Sequence, residues 1–337
     1  MKRIVLDKPF QLQLQDVQRP VAAADEALVH IRRIGICGTD LHAYQGNQPF
    51  FSYPRILGHE LSGEIVEIGA NEHRLRIGDR CVINPYLACG HCIACRNGKT
   101  NCCCGLEVLG VHTDGGMQEY LAVPVAQLIR SESLTFDQLA LVENQCIGAH
   151  AVRRANLRQG EFALVVGAGP IGLGVLQFAK LAGAHVIAMD ISSERLTFCR
   201  ECFQLEHAIL AGPDARDALR AITDGDLATA VFDATGNTRA MRQSLDYLAH
   251  GGRLIYIGFA QDEIGFFNPD FHKKETTLLG SRNATREDFQ HVIGALEDGR
   301  AAVDRFITHR AGLDATPASF SGWIDPAKRV IKAVVEN

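Results

Sequence analysis

Phe162-Ala163-Leu164-Val165-Val166-Gly167-Ala168-Gly169-Pro170-Ile171-Gly172 is the stretch that decides the fold. Its five leading apolar residues do not alternate, so they read as a strand buried on both faces. The next six match G-x-G-x-x-G, and residues 171–182 read as an apolar helix. In the order strand, glycine turn, helix, this pattern suits a dinucleotide. Gly167 permits the tight turn, Gly169 lets backbone approach a pyrophosphate, and Gly172 lets the helix pack closely on the strand. The helix start, with Pro170 and Ile171 in its first turn, offers unpaired N–H groups to phosphates. Asp190 closes the next apolar run, about twenty residues on, where a carboxylate accepts hydrogen bonds from ribose hydroxyls. That charge repels a 2′-phosphate and favours NAD over NADP, whereas Arg195 nearby acts in the opposite sense.

Working outward, residues 230–233, 253–257 and 276–280 are further buried-strand candidates alternating with helical patterns. Such alternation implies an α/β domain with a doubly wound parallel sheet covered on both faces. Upstream, to about Cys146, β-branched residues and glycine turns dominate, and residues 27–32, 62–68 and 80–83 read as short strands of a mostly-β unit. The tail from about Thr285 adds a helix and strand-like pieces that return to this first unit. The expected domains are therefore 1–145 with 285–337, and 146–284.

The 337 residues are 47% hydrophobic and 22% charged, as in an ordinary soluble globular protein. With 34 basic against 39 acidic residues and no basic block, nucleic acid is not an expected partner. The apolar run 162–174 is broken by glycines and a proline and is too short to span a bilayer, so no membrane association is expected. The start, Met1-Lys2-Arg3-Ile4-Val5-Leu6, turns polar at Asp7 without a signal-peptide apolar region, and the expected location is the cytoplasm.

Seven of the eleven cysteines fall between Cys81 and Cys104, a clustering that points to metal in a reducing compartment. Cys89, Cys92, Cys95 and Cys103 spell C-x2-C-x2-C-x7-C. Four thiolates close a tetrahedral zinc site and leave no position for substrate, so the expected role is structural. The run Cys102-Cys103-Cys104 leaves the fourth ligand open, and spacing selects Cys103. An iron–sulfur cluster and a chance cluster of buried thiols are the competing readings.

A dispersed set completes the picture: Cys37 within Gly35-Ile36-Cys37-Gly38-Thr39-Asp40, His42, Gly58-His59-Glu60, and Glu143 far downstream. Cysteine, histidine and carboxylate suit an open catalytic zinc. Taken singly, a cysteine is more often core and a histidine an ordinary hydrogen-bonded residue. Taken in order, these segments, the four-cysteine lobe, Asp114-Gly115-Gly116, the Gly167 to Gly172 loop and Asp233-Ala234-Thr235-Gly236 resemble the zinc-containing medium-chain alcohol dehydrogenases, the sorbitol and threonine dehydrogenase group.

The resemblance implies a GroES-like catalytic domain split around a Rossmann domain, with the active site in the cleft between them. It also implies NAD-linked alcohol oxidation and two zinc ions per chain. Cys37 and His59 would be zinc ligands. Glu60 and Glu143 match two acidic positions, of which one binds directly and the other exchanges with water or stands just outside; both assignments remain open. Thr39 matches a relay hydroxyl and His42 an outer relay histidine, passing the alcohol's proton through the cofactor ribose to solvent. Thr235 would touch the cofactor. After Glu143 relatives carry proline and a bulky apolar residue, whereas this chain has Asn144-Gln145, which leaves the local loop shape in question.

Narrower likenesses lie in Gly46-Asn47-Gln48-Pro49-Phe50-Phe51-Ser52-Tyr53-Pro54-Arg55, in residues 149–154, and in residues 272–277 with 280–285. They are similar to a bacterial branch that includes L-galactonate oxidoreductase and imply a small-molecule sugar acid or polyol as substrate. Arg55, Lys273, Lys274, Arg282 and Asn283 fall in these segments. Each is a candidate partner for a substrate carboxylate, against the plainer readings of solvated surface charge or, for Arg282, a cofactor contact. A generic polyol or threonine dehydrogenase is the near alternative. A zinc-free quinone reductase would have no use for Cys37, His59 and Glu60, and a non-catalytic nucleotide binder no use for Thr39 and His42. The exposed sheet edge expected near residues 276–280 suggests a homodimer or homotetramer.

Overall fold

In the computed structural model the described residues are 1–49 and 51–337; Phe50, within the branch-like segment 46–55, lies outside them. The chain divides into Met1–Glu143 with Thr285–Asn337, and Asn144–Ala284.

The first unit is built on strands β1 (Glu26–Ile36), β2 (Glu60–Ile68), β3 (Arg80–Ile83), β4 (Tyr120–Pro124) and β5 (Leu128–Arg130). Ile31, Ile34, Leu61 and Ile65 point into its core, joined by Phe320 and Trp323 from the tail. Strands β1 and β2 pair antiparallel with Gly35 opposite Glu60. Beyond β1 the chain turns at Cys37 into helix α1 (Gly38–Gln45), whose start is fixed by a capping box between Cys37 and Asp40.

Helix α2 (Phe136–Ala155) carries the boundary between the units. The sequence reading of a mostly-β unit to about Cys146 identified neither this helix nor α1. Asn144 and Gln145 lie inside this continuous helix, not in a loop. They are buried and paired: the Gln145 amide donates to Asn144 Oδ1 at 3.2 Å, and Gln177 donates to Gln145 Oε1 at 3.0 Å. Two amides that satisfy each other replace an apolar contact here.

In the second unit, β6 (Phe162–Val166) leads through the glycine loop into α3 (Pro170–Leu181), and β7 (His185–Asp190) into α4 (Ser193–Phe203). There follow β8 (His207–Leu210), α5 (Ala215–Ile222), β9 (Ala228–Asp233), α6 (Thr238–Gln243), β10 (Leu248–Tyr256), α7 (Asn268–Lys273) and β11 (Thr277–Gly280). All six strands are parallel in the order β8-β7-β6-β9-β10-β11. This is the doubly wound arrangement, with the order reversing beside β6, where such sheets bind ligands. Leu164, Ile187, Val231 and Leu254 form its core. Sequence reading missed β8, a short strand whose end at Leu210 is exposed.

The tail returns to the first unit. After α8 (Arg286–Glu297) come β12 (Ile307–Gly312) and β13 (Lys332–Glu336). They complete a seven-stranded sheet in the order β12-β13-β1-β2-β3-β5, with β4 on β1. Among the described residues no helix is long and apolar enough to cross a membrane.

Candidate active site

Strand register assembles the first site. Glu60 begins β2 opposite Gly35, and Val334 of β13 lies on the other side of Gly35, so Lys332 arrives beside the Glu60 carboxylate. A Cβ on Gly35 would stand 2.2 Å from Glu60 Oε2, so only glycine leaves room for that group. The Cys37 thiol, the His59 imidazole and the Glu60 carboxylate bring one ligand atom each to within 4.8 Å of one another.

The surroundings explain why these donors hold still. Buried Asp40 accepts from Cys37 N at 2.8 Å and from Gly58 N at 3.3 Å, pinning the backbone at Cys37 and beside His59. Its Oδ1 lies 3.7 Å from His59 Nδ1, a buried nitrogen without a hydrogen-bond partner. Lys332 donates to both Glu60 oxygens, at 2.6 and 2.7 Å, and to the Ile36 carbonyl at 3.1 Å. Glu143 stands outside the three-residue group and accepts a hydrogen bond from the Tyr86 hydroxyl.

Electrostatics show what the pocket lacks. Burial works to neutralise His59, yet Asp40, Cys37 and Glu143 hold its pKa well above 6.5. Burial also pulls Lys332 down, but Glu60 and Cys37 outweigh it and raise it above 10.5. Burial, reinforced by the Glu60 charge, lifts the Glu143 carboxyl to about 7. Acidic donors outnumber cations, and protons are held tightly to compensate. A divalent cation among Cys37, His59 and Glu60 would supply that missing charge, so the donor set fits zinc.

Thr39 and His42 lie three residues apart on α1 and so share one side of it. Thr39 is half-buried and its hydroxyl has no protein partner among the described residues, while His42 is exposed.

The four-cysteine lobe converges as its spacing suggests. Ligand sulfurs of Cys89, Cys92, Cys95 and Cys103 all lie within 4.8 Å of one another. Cys103 is buried while Cys102 and Cys104 are exposed. The Cys89 N–H points at Cys103 Sγ at 3.2 Å. The Cys95 N–H, directed at Cys92, helps to lower that thiol to about 5, while burial and then the Cys92 and Cys103 thiols push Cys95 up to about 12, so the crowded sulfurs do not all lose their protons without a cation among them.

In the second unit the glycine loop is sterically fixed: a Cβ on Gly172 would lie 1.8 Å from the Gly167 oxygen. No side chain caps the start of α3, whose N–H groups remain available to a phosphate. Asp190 has a structural role that the sequence did not suggest. Its carboxylate accepts from Ala168 N at 2.6 Å and from Ser192 N at 2.8 Å, so it ties the glycine loop to the end of β7. Each oxygen keeps a second lone pair for a ribose hydroxyl. Arg195 flanks the loop, its Nη1 3.5 Å from where a Gly169 Cβ would be. The Thr235 hydroxyl donates to Asp233 at 2.7 Å, and Ser244 holds the other Asp233 oxygen at 2.7 Å.

Tyr86 and Lys332 were not singled out in the sequence, and Asp40 and Asp233 stood in quoted motifs without a role of their own. A lysine in the otherwise apolar Lys332-Ala333-Val334-Val335 was the one available signal for its burial. Arg55 is already engaged, donating to Ser52 at 2.9 Å and Asp114 at 3.3 Å.

Known proteins resemble both parts of the chain. Residues 23–133 match the alcohol dehydrogenase GroES-like domain and residues 170–298 the zinc-binding dehydrogenase domain. The chain is 44% identical to L-galactonate-5-dehydrogenase of Escherichia coli (strain K12), covering 99% of this chain and 98% of that protein. It is 30% identical to a sorbitol dehydrogenase of Halalkalibacterium halodurans, over 88% of each. A short chain alcohol dehydrogenase from E. coli CFT073, solved with NADH, superposes with a TM-score of 0.93 at 30% identity, covering 100% of this chain and 99% of that one. With both domains matched and these likenesses running nearly end to end, the chain belongs to the zinc-binding alcohol dehydrogenases and is an alcohol oxidoreductase.

Proposed function

We propose that the protein oxidises a secondary hydroxyl of a sugar acid or polyol, with NAD as acceptor and an L-galactonate-like hexonate as the leading substrate. The observation that carries this reading is the gathering of Cys37, His59 and Glu60 in a pocket short of positive charge. Cys37, His59 and Glu60 would hold the catalytic zinc, with Glu143 as the alternate carboxylate, and Cys89, Cys92, Cys95 and Cys103 the structural one. A bound zinc supplies Lewis acidity toward the substrate hydroxyl.

The protein's own groups do the rest. Thr39 Oγ1 accepts the alcohol's proton, and His42, exposed on the same side of α1, releases it to solvent. Gly167, Gly169, Pro170, Ile171 and Gly172 cradle the pyrophosphate, Asp190 takes the ribose hydroxyls, and Arg195 and Thr235 border the nucleotide. Asp190 favours NAD by charge. The likeness to L-galactonate-5-dehydrogenase supports the hexonate over a simple alcohol.

The exposed edge strand β11 supports a symmetric dimer or tetramer, and cysteines grouped as metal ligands suit a reducing cytoplasm. The test is a screen of aldonates and polyols with NAD, followed by NADH absorbance. A six-carbon aldonate should show the highest kcat/KM. Equal efficiency on the matching neutral polyol would overturn the acid assignment and leave a polyol dehydrogenase.

A further inference from the structure

Glu60 and Glu143 stand on different terms with the candidate metal site. Glu60 lies within the ligand group, and both of its oxygens accept from a buried cation, Lys332. Glu143 is buried as well but stands outside the group, although its charge still reaches His59. Among the described residues the Tyr86 hydroxyl is the one hydrogen-bond donor to the Glu143 side chain. What steers this second carboxylate is therefore a neutral phenol.

Tyr86 is held on every side. It opens a two-residue strand, Tyr86–Leu87, that pairs antiparallel with Glu107–Val108, Tyr86 opposite Val108. Cys89 follows shortly after the first of these strands and Cys103 comes shortly before the second, so the pair forms the base of the four-cysteine lobe. The Tyr86 N–H donates to Asn84 Oδ1 at 3.1 Å, and its carbonyl accepts from Gln127 at 3.5 Å. Its ring meets the buried ring of Phe289, on α8, edge-on with centroids 6.4 Å apart. A tyrosine turns about two side-chain torsions only, so with backbone and ring both fixed the hydroxyl has little freedom.

Building on the zinc assignment made under the proposed function, we infer that Tyr86 is a positioning residue that holds the Glu143 carboxylate off the catalytic metal and so keeps one coordination position open for the substrate hydroxyl. A catalytic zinc works with three protein ligands and an open fourth position. Cys37, His59 and Glu60 already make three, and a second carboxylate would fill the fourth. The phenol proton satisfies Glu143 where it stands. A buried carboxylate that loses its donor is costly unless it finds a cation, and the cation on offer is the one among Cys37, His59 and Glu60. Tyr86 acts through Glu143 and does not touch substrate.

Cobalt(II) exchanged into the catalytic site of the full-length protein, with zinc kept in the four-cysteine lobe, tests this through its visible d–d absorption. A four-coordinate cobalt ion absorbs strongly; a further ligand weakens the band and moves it to shorter wavelength. The wild type should show the strong band. Glu143→Gln, whose amide oxygen still accepts from Tyr86, should show the same one. Tyr86→Phe should weaken and shift the band, while phenylalanine keeps the ring contact with Phe289 and with it the packing. Tyr86→Phe combined with Glu143→Gln should restore the strong band, which a general loosening of the pocket would not do. A wild type without a band that Cys37→Ser removes would take away the metal site itself and the function resting on it. A band unchanged in Tyr86→Phe, a weakened band that Glu143→Gln does not restore, or a weak wild-type band that Glu143→Gln strengthens would overturn the role of Tyr86 alone.

Discussion

Lys332 Nζ donates to both carboxylate oxygens of Glu60, at 2.6 and 2.7 Å, across 272 residues of sequence, with both side chains buried. Lys332→Met would leave a carboxylate buried without its cation. The expected cost is about 3–5 kcal/mol of stability. Adding Glu60→Gln should recover much of it, because the orphaned charge is then gone. Urea unfolding of the two single variants and the double variant measures the coupling. Strictly additive effects would show that the pair is not what stabilises this pocket.

Two metal centres with separate duties should be separable by mutation. Cys37→Ser should abolish turnover while leaving the fold and one zinc per chain. Cys92→Ser should lower thermal stability or yield, because the lobe has little apolar core to replace the metal; Ile93, for one, is exposed. Elemental analysis of purified protein decides it, and a fully active chain with a single zinc would refute the assignment.

Asp190 accepts two backbone N–H groups, so its replacement does more than alter cofactor choice. Asp190→Asn would turn an amide N–H2 toward either Ala168 N or Ser192 N, leaving a buried donor facing a donor. The KM for NAD should rise about tenfold, with a loss of about 1–3 kcal/mol in stability. Asp190→Ala should in addition improve the relative use of NADP. Steady-state kinetics with both cofactors provide the comparison, and a wild-type preference for NADP would contradict the role given to this residue.

Arg253 and Glu161 form a two-point ion pair, at 2.9 and 2.6 Å, that ties β10 to the turn before β6. Hydrogen bonds from Arg253 hold the Glu161 pKa below its ordinary 4.5. A lowered carboxylate pKa stabilises the fold fully above the unfolded value, and that stability is lost as pH falls through the folded value. Glu161→Gln should therefore cost about 1–3 kcal/mol at neutral pH, and the gap from wild type should narrow as pH falls below the ordinary 4.5 and close once it passes the lowered folded value. A difference that does not narrow anywhere on acidification would assign the effect to packing.

The second unit was largely legible in the sequence because its signals are local. Apolar runs such as Phe162 to Val166 are buried on both faces, and the glycines of the loop are dictated by contacts a few residues apart. What escaped the sequence is what distant pairing creates. Helix α2 combines an apolar side with the buried amides Asn144 and Gln145, so its polarity resembles that of a loop until Gln177 is seen against it. Cys37, His59 and Glu60, which the fold brings within 4.8 Å of one another, stood out from their motifs. Their support by Asp40 and Lys332 depends on where β13 docks, which no local pattern reports. Lys273 and Lys274 were noticed as unusual, but only the sheet direction shows which end of the unit they occupy.

The sheet of the first unit is closed by β13, the last strand of the chain. During translation, Asn144–Ala284 has all six of its strands before Lys332 exists, and domains fold as units while synthesis proceeds. The nascent Glu60 meanwhile has no cation beside it, so the chemical half of the enzyme matures last. Chain termination just before β13 would yield a product with an intact dinucleotide fold and no properly finished metal pocket. Glu60, placed early in the chain, thus depends for its cation on a strand translated more than two hundred residues later.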